Sequence, residues 1–344
     1  MKKFLPYIII IIALTGAAIW FIQHQPKGTI NEQEGDFSVK DKNEISKIIL
    51  SDTENKKVEL TNTGGVWFVN GKYPAREDLI NQLFESITRV TSLCPVPTAG
   101  HDNVIREMMG HHVRAEIFDA KNNLLKSYWV GGPSVDGLNT YMLLEIDGAP
   151  ASRPHLTYIP GTKGYLTLRY TTDEETWRTK ILFNYKREEI KELRVEYPND
   201  EKNSFTITAV AKDSFALSPV DEKFRVANAY PQKFVHQYLN FYSSIYAEAF
   251  DNNYSKKDSV VKTIPYCTIT VTETDNSVNT VKLFYMPISQ RSNSQFDAKG
   301  KELSYDIDHY HASIHNGADF AIVQYYVFGK LLRNYNDFFF KPTQ

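Results

Sequence analysis

Cysteine is nearly absent, with Cys94 and Cys267 as the two thiols in 344 residues. Such a pair makes neither a disulfide framework nor a cysteine-rich metal centre, and leaves room for one bridge, Cys94 to Cys267, in an oxidising compartment. An excess of positive charge is also missing. Lys and Arg number 39 against 41 Asp and Glu, for a net charge of -2, which excludes the basic field that nucleic-acid binding requires. The glycine-containing stretch Gly131 to Gly137 lacks the Gly two residues after Ser134 that a nucleophile elbow needs. It also lacks the Gly-Lys-Ser/Thr ending of a phosphate-binding loop, and reads as a connection between two strands.

What the chain does have begins at its N-terminus. Lys2 and Lys3 precede Leu5 to Ile22, a stretch without a charge. At about 1.5 Å per residue, 18 residues of helix span roughly 27 Å, close to the thickness of a bilayer core. Ala17 and Ala18 offer small residues for signal cleavage, but Ile19-Trp20-Phe21-Ile22 carries the apolar run past them, which favours an uncleaved anchor. The two lysines orient that anchor with its N-terminus in the cytoplasm and the rest of the chain outside it. Residues 1–22 are thus expected to be a transmembrane anchor in contact with lipid, and residues 23–43, polar with Pro26, Gly28 and Gly35, a flexible tether.

The remainder reads as one unit written twice. Glu44-Ile45 leads into Lys47-Ile48-Ile49-Leu50, then Val58-Glu59-Leu60 and Val66 to Val69 around Gly64-Gly65, a hairpin signal. Tyr73-Pro74 follows, and Leu79, Ile80, Leu83, Phe84, Ile87 and Val90 mark one face of a helix over Arg76 to Val90. From Glu189-Ile190 the order returns: Leu193 to Val195, Phe205 to Ile207, Phe215 to Leu217, Tyr230-Pro231, then Phe234, Val235, Tyr238, Leu239, Tyr242 and Ile245 at the same helical spacing. Hairpins over Arg114–Val130 and Thr268–Tyr285, and turns at Asp147-Gly148 and Asn316-Gly317, continue the parallel. The expected fold is therefore α+β: two tandem similar domains, 44–186 and 187–344, each an antiparallel sheet with a packed amphipathic helix.

Chemistry-bearing residues cluster near the end of the chain. On a strand, His309, His311 and His315 project to one face and Asp306 and Asp308 to the other, and two histidines at i, i+2 can share a metal ion. The competing reading is a solvated sheet face whose alternate residues Tyr310, Ala312 and Ile314 form the buried side. Adjacent His111 and His112, with His101, suit a turn or strand entry, because neighbours on a strand point opposite ways. Tyr325, Tyr326 and Phe338 to Phe340 are candidates for a partner surface, or for core. No cofactor and no catalytic set emerges.

On Ile48-Ile49-Leu50, Trp67, the Arg76–Val90 helix, Gly110 ahead of a strand, Val130-Gly131 with Tyr141, and Trp177-Arg178, the chain resembles the bacterial domain-of-unknown-function 4340 family. The resemblance covers residues 45–200 and departs from the family's aromatic-Gly-Leu step at Met109-Gly110-His111. It implies a membrane-anchored bacterial envelope protein, some of whose relatives are linked with ABC-type export systems, and implies no catalytic or ligand residue. The expected protein is a single-pass inner-membrane binding or scaffolding component with periplasmic domains. The alternatives are a metal-dependent hydrolase using His309, His311 and His315, and a small-molecule or glycan binder in a cleft between the repeats.

Overall fold

The computed structural model describes Thr15, Gly16 and residues 32–290, 292–297 and 299–339. The expected membrane helix over Leu5 to Ile22 lies outside the described residues except for Thr15 and Gly16, as do residues 23–31 of the expected tether. Among the described residues no helix is long and apolar enough to cross a membrane. The chain divides into two compact units between Thr179 and Lys180. The division falls ahead of the expected boundary at 186/187 because Ile181–Phe183 pairs as a strand with Ile245–Tyr246, and Leu182 and Phe183 are buried in the second unit's core.

The first unit holds strands β1 (Lys47–Asp52), β2 (Lys57–Thr63), β3 (Val66–Val69), β4 (Tyr73–Pro74), β5 (Thr91–Pro95), β6 (Val113–Phe118), β7 (Leu124–Pro133), β8 (Thr140–Ile146), β9 (Ala149–Pro150) and β10 (His155–Tyr158). They form one antiparallel sheet in the order β4-β3-β2-β1-β6-β7-β8-β10-β5, with β9 folded back on β8. The β2–β3 hairpin turns where expected: Gly64 and Gly65 take φ of 62° and 90°, a conformation that strains any residue with a Cβ. Alternation sends Ile48, Leu50, Val58, Leu60, Ala115, Ile117, Tyr128 and Val130 to one face. Helix α1 (Glu77–Arg89) lies on that face through Ile80, Leu83 and Ile87. Each of these three side chains contributes about 2 kcal/mol by leaving water.

Two features of this unit depart from expectation. Phe37 and Val39, assigned to the flexible tether, are buried in the same core, so the ordered domain starts ahead of residue 44. Few apolar residues surround them, and a two-residue apolar signal without a period is easily lost in a polar stretch. The second departure is helix α2 (Thr98–Gly110), which covers the opposite face of the sheet through Val104 and Met108 over Val96 and Leu143. Its apolar stripe is too narrow to announce a helix in sequence.

The second unit holds β11 (Ile181–Phe183), β12 (Ile190–Glu196), β13 (Phe205–Ala211), β14 (Ser214–Pro219), β15 (Ile245–Tyr246), β16 (Ala249–Phe250), β17 (Cys267–Glu273), β18 (Val278–Tyr285), β19 (His309–Ile314) and β20 (Asp319–Gln324). Its large sheet is antiparallel in the order β14-β13-β12-β17-β18-β19-β20-β16. Taken strand for strand, this is the path β3-β2-β1-β6-β7-β8-β10-β5 of the first unit. The core gathers Leu193, Val195, Ile207, Ile269, Val281, Leu283, Ala312 and Val323 under helix α3 (Gln232–Leu239). This helix is shorter than the expected apolar run. The backbone tightens into a 3-10 turn at Asn240–Ser243, so Tyr242 sits on that turn and Ile245 on β15.

The two Tyr-Pro steps do different work. In the first unit Tyr73-Pro74 is itself β4 and pairs with β3. In the second, side chains cover the free edge of β14. The Tyr230 hydroxyl accepts from the Leu217 amide at 2.8 Å and donates to the Phe215 carbonyl at 3.1 Å, while the Gln232 amide donates to that carbonyl at 2.8 Å. An open sheet edge is a template for pairing with another chain, and these contacts occupy it.

Candidate functional site

The expected metal site at His309, His311 and His315 is not assembled. β19 ends at Ile314, and His315 enters the following turn with φ of 51°, so it leaves the face the strand pattern assigned to it. There its Nδ1 lies 2.8 Å from the Asp319 carboxylate. His309 sits between two other carboxylates, with Nδ1 3.2 Å from Asp306 and Nε2 3.4 Å from Glu248. Asp306 precedes the strand and curls back to accept the amides of Asp308 and His309 at 2.8 and 3.0 Å, so it shares a side with His309 and does not oppose it. His311 is 1% exposed. Its ring lies against Tyr254 and Phe320 at centroid distances of 4.7 and 5.1 Å, with no hydrogen-bond partner on either nitrogen among the described residues. Among the described residues, no three His, Cys, Asp or Glu side chains converge as metal ligands.

The other candidates resolve into scaffold. His101 lies within α2, and His111 follows its last residue. His112 stacks on Trp129 at 4.2 Å and donates through Nδ1 to the Met108 carbonyl at 2.7 Å. The loop after β7 is a strand connection, with the Ser134 hydroxyl bonded to Asp136 at 2.5 Å and accepting the Asn139 amide at 2.9 Å. Cys94 and Cys267 are both free thiols, and Cys267 is buried, which pushes its pKa up. Sequence spacing gave no hint of the Ser92–His155 pair, 63 residues apart, whose Oγ and Nδ1 meet at 2.7 Å. Burial beside Phe37 pushes the His155 pKa down. A Cβ on Gly35 would come within 3.4 Å of Ser92, so the chain ahead of Phe37 approaches this pair closely.

Two surfaces among the described residues are built to receive something. The first is a groove of about 580 Å³ in the first unit, lined by Gln33, Asp36, Leu125, Lys126, Ile146 and Asp147 among others. It opens where two neighbouring strands part. The β7–β8 ladder stops at Ser127↔Glu145, while Leu124 to Lys126 continue along β6 past a bulge. Glu145 forms its wall. Arg114 Nε reaches both Glu145 oxygens, at 3.1 and 2.9 Å, Trp129 Nε1 donates at 2.8 Å, and the Ser127 hydroxyl donates to Oε2. Burial alone would raise the Glu145 pKa; the hydrogen bonds from Arg114, Ser127 and Trp129 outweigh it and hold the carboxyl below its ordinary value. A carboxylate so held stays ionised with its lone pairs taken, which suits a fixed wall and not proton transfer.

The second surface is a tyrosine cluster in the second unit. Tyr285 stacks on Tyr305 at 4.5 Å and lies 4.8 Å from Tyr266, which stacks on Tyr310 at 5.5 Å. Burial pushes the Tyr266 phenol up to about 12. Tyr325 lies near enough to help push the Tyr266 and Tyr310 phenols up, and its amide is bonded to the Asp308 carbonyl at 2.7 Å. The outer members, Tyr285, Tyr305 and Tyr325, are about half exposed, and Tyr326, which follows Tyr325 in the chain, is 92% exposed. Of the aromatics singled out in sequence, Tyr325 and Tyr326 are thus surface, whereas Phe338 and Phe339 are core; Phe340 lies outside the described residues. Tyr305 belongs to the connection from Met286 to Asp308, far longer than the six-residue link between β7 and β8 in the first unit, and connections of this length are commonly functional.

Comparison of the chain with protein-family models, with curated proteins and with solved structures finds no match.

Proposed function

We propose that the protein is a membrane-anchored, extracytoplasmic binding or scaffolding component of a bacterial envelope assembly, beside an ABC-type exporter. The observation that carries this reading is the exposed tyrosine cluster of Tyr285, Tyr305 and Tyr325, with exposed Tyr326 next to Tyr325 in the chain. Solvent-facing tyrosines combine a large apolar body with a polar tip, and they are enriched where proteins meet partners. The charge-free run Leu5 to Ile22 supports the anchor. The shared strand order of the two sheets supports an origin by duplication of one sheet-and-helix unit, a route that yields extended surfaces without new catalytic machinery. Extraction in mild detergent and co-purification tests the reading. The wild type is expected to bring down an envelope or transporter component, and Tyr305→Ala with Tyr326→Ala to lose it; recovery of the wild type as an unpartnered monomer counts against it.

A second reading, a small-molecule binder, has one observation of its own. The groove beside Glu145 offers about 580 Å³, within the range of ligand sites. A thermal-shift screen of polar small molecules tests it, with a Leu125→Trp variant that fills the groove as the control.

A further inference from the structure

The face of the second sheet turned away from its main core is covered by the segment after β16. Asp251 starts this cover, its amide bonded to the Phe320 carbonyl at 2.8 Å. Asn252 accepts the Phe320 amide at 2.8 Å and donates to Asp319 at 3.0 Å. Tyr254 then lies flat on Phe320, with ring planes 5° apart, and against His311. A helical turn, Lys257–Val260, follows it. In the first unit the layer in this place, under α2, is apolar: Val96, Val104, Met108 and Leu143. In the second unit the layer holds a histidine.

A neutral imidazole carries one N–H donor and one acceptor. Buried polar groups are almost always paired, yet neither His311 nitrogen has a hydrogen-bond partner among the described residues. The ring is held by aromatic faces alone. Its ladder neighbours, Phe284 on β18 and Ile322 on β20, are uncharged. On its own strand His309 is committed to Asp306 and Glu248, and on β20 Asp319 is committed to His315 and Asn252. On the segment after the cover, Lys256, Asp258 and Lys262 are exposed and Lys257 is half-buried. Lys282, on β18, is exposed as well. Asp251 is the charge that acts on the ring.

We propose that His311 is an acid-sensitive latch: protonation of its imidazole releases the Asp251–Tyr254 cover from the sheet, loosens the turn that follows it, and bares Phe320. An imidazolium in this layer has two donors without a hydrogen-bond acceptor among the described residues, lies against two aromatic rings, and has Asp251 as its opposing charge. Once the cover lifts, water solvates it. Burial holds the His311 pKa below its ordinary value, and Asp251 pulls the other way. The open state therefore binds the proton more readily than the closed state, and the closed state weakens as pH falls through the ordinary histidine range. A protein exposed outside the cytoplasm meets such changes directly. The latch does not depend on which partner, if any, the tyrosine surface binds.

Hydrogen exchange of the full-length protein in detergent, corrected for intrinsic exchange rates, tests the latch. The reporters are the amides of Tyr254 in the cover and of Lys257, Val260 and Val261 in the turn after it, each hydrogen-bonded to a carbonyl of this segment. With an open-state pKa of about 6.5 and no protonation of the closed state, the opening equilibrium rises about 30-fold from pH 7.5 to pH 5.0. The expected result is a rise of threefold or more at these amides in the wild type, little change at Ile269 in β17, and no rise in His311→Leu. Asp251→Asn, which removes the opposing charge, is expected to enlarge the wild-type rise. A smaller wild-type rise, an equal rise in His311→Leu, or an equal rise at Ile269, which signals unfolding of the whole unit, overturns the latch.

Discussion

Arg114 grips Glu145 across two strands, donating from Nε to both carboxylate oxygens at 3.1 and 2.9 Å and from a second nitrogen at 2.8 Å. The two residues are 31 apart in sequence and belong to β6 and β8, which are not neighbours. The clasp therefore spans β7 and ties three strands at the point where the groove opens. Glu145→Ala leaves Ser127 and Trp129 without their acceptor and leaves the Arg114 guanidinium with Glu116 alone, at 3.0 Å. Because Arg114 stays about a third exposed, the cost is nearer about 2 kcal/mol than the larger penalty of a fully buried pair. Urea unfolding followed by tryptophan fluorescence checks this, since Trp67, Trp129 and Trp177 all belong to the first unit.

The same carboxylate sets a pH dependence. Its pKa is lower in the folded state than in the unfolded chain, so its contribution is fully present above the ordinary carboxylate range and is lost as pH falls through the folded value. The first unit's unfolding midpoint is expected to drop below about pH 4.5 more steeply in the wild type than in Glu145→Gln. Equal slopes in the two proteins refute the assignment.

Phe37 lies edge-on to Tyr128 and His155, at centroid distances of 6.1 and 5.8 Å. Phe37→Ala is expected to destabilise the first unit by about 3–5 kcal/mol, the usual cost of emptying a buried aromatic site. Lys40→Ala, at an exposed neighbour, is expected to stay within about 0.5 kcal/mol of wild type. A silent Phe37→Ala returns this stretch to the tether.

Ile87 is fully buried where α1 meets the sheet. Ile87→Ala is expected to cost about 2–5 kcal/mol in the same fluorescence assay, while leaving hydrogen exchange at Ile269 in the second unit unchanged.

The edge of β14 invites a test of association. Tyr230→Phe removes the acceptor for the Leu217 amide and one donor to the Phe215 carbonyl; adding Gln232→Ala frees that carbonyl. The double variant is expected to lose about 1–2 kcal/mol and to self-associate in sedimentation velocity at concentrations where the wild type does not. A monodisperse double variant means that the edge needs no cover.

Local and periodic features were legible without coordinates. The Gly64-Gly65 hairpin, the α1 face and the turn at Asp147-Gly148 follow from backbone sterics and from the 3.6 and 2.0 residue periods. The return of the same order of elements after Glu189 was readable for the same reason, since a repeated pattern of apolar residues needs no long-range information. Helix α2 and the buried Phe37 were not readable, because their apolar content is small and takes meaning only from the sheet face it meets.

The candidate site divides along the same line. From the order of residues alone it follows that His309, Tyr310 and His311 alternate along a strand, that Tyr325 and Tyr326 are adjacent, and that basic residues are not in excess. Tertiary structure alone decided that His315 turns away to Asp319, that Asp306 curls back to His309, that Tyr254 closes over His311, and that Glu145 meets Arg114 across β7. The physical reason is that alternation assigns a side chain to a face, whereas its partner and its exposure depend on which distant segment is packed against that face.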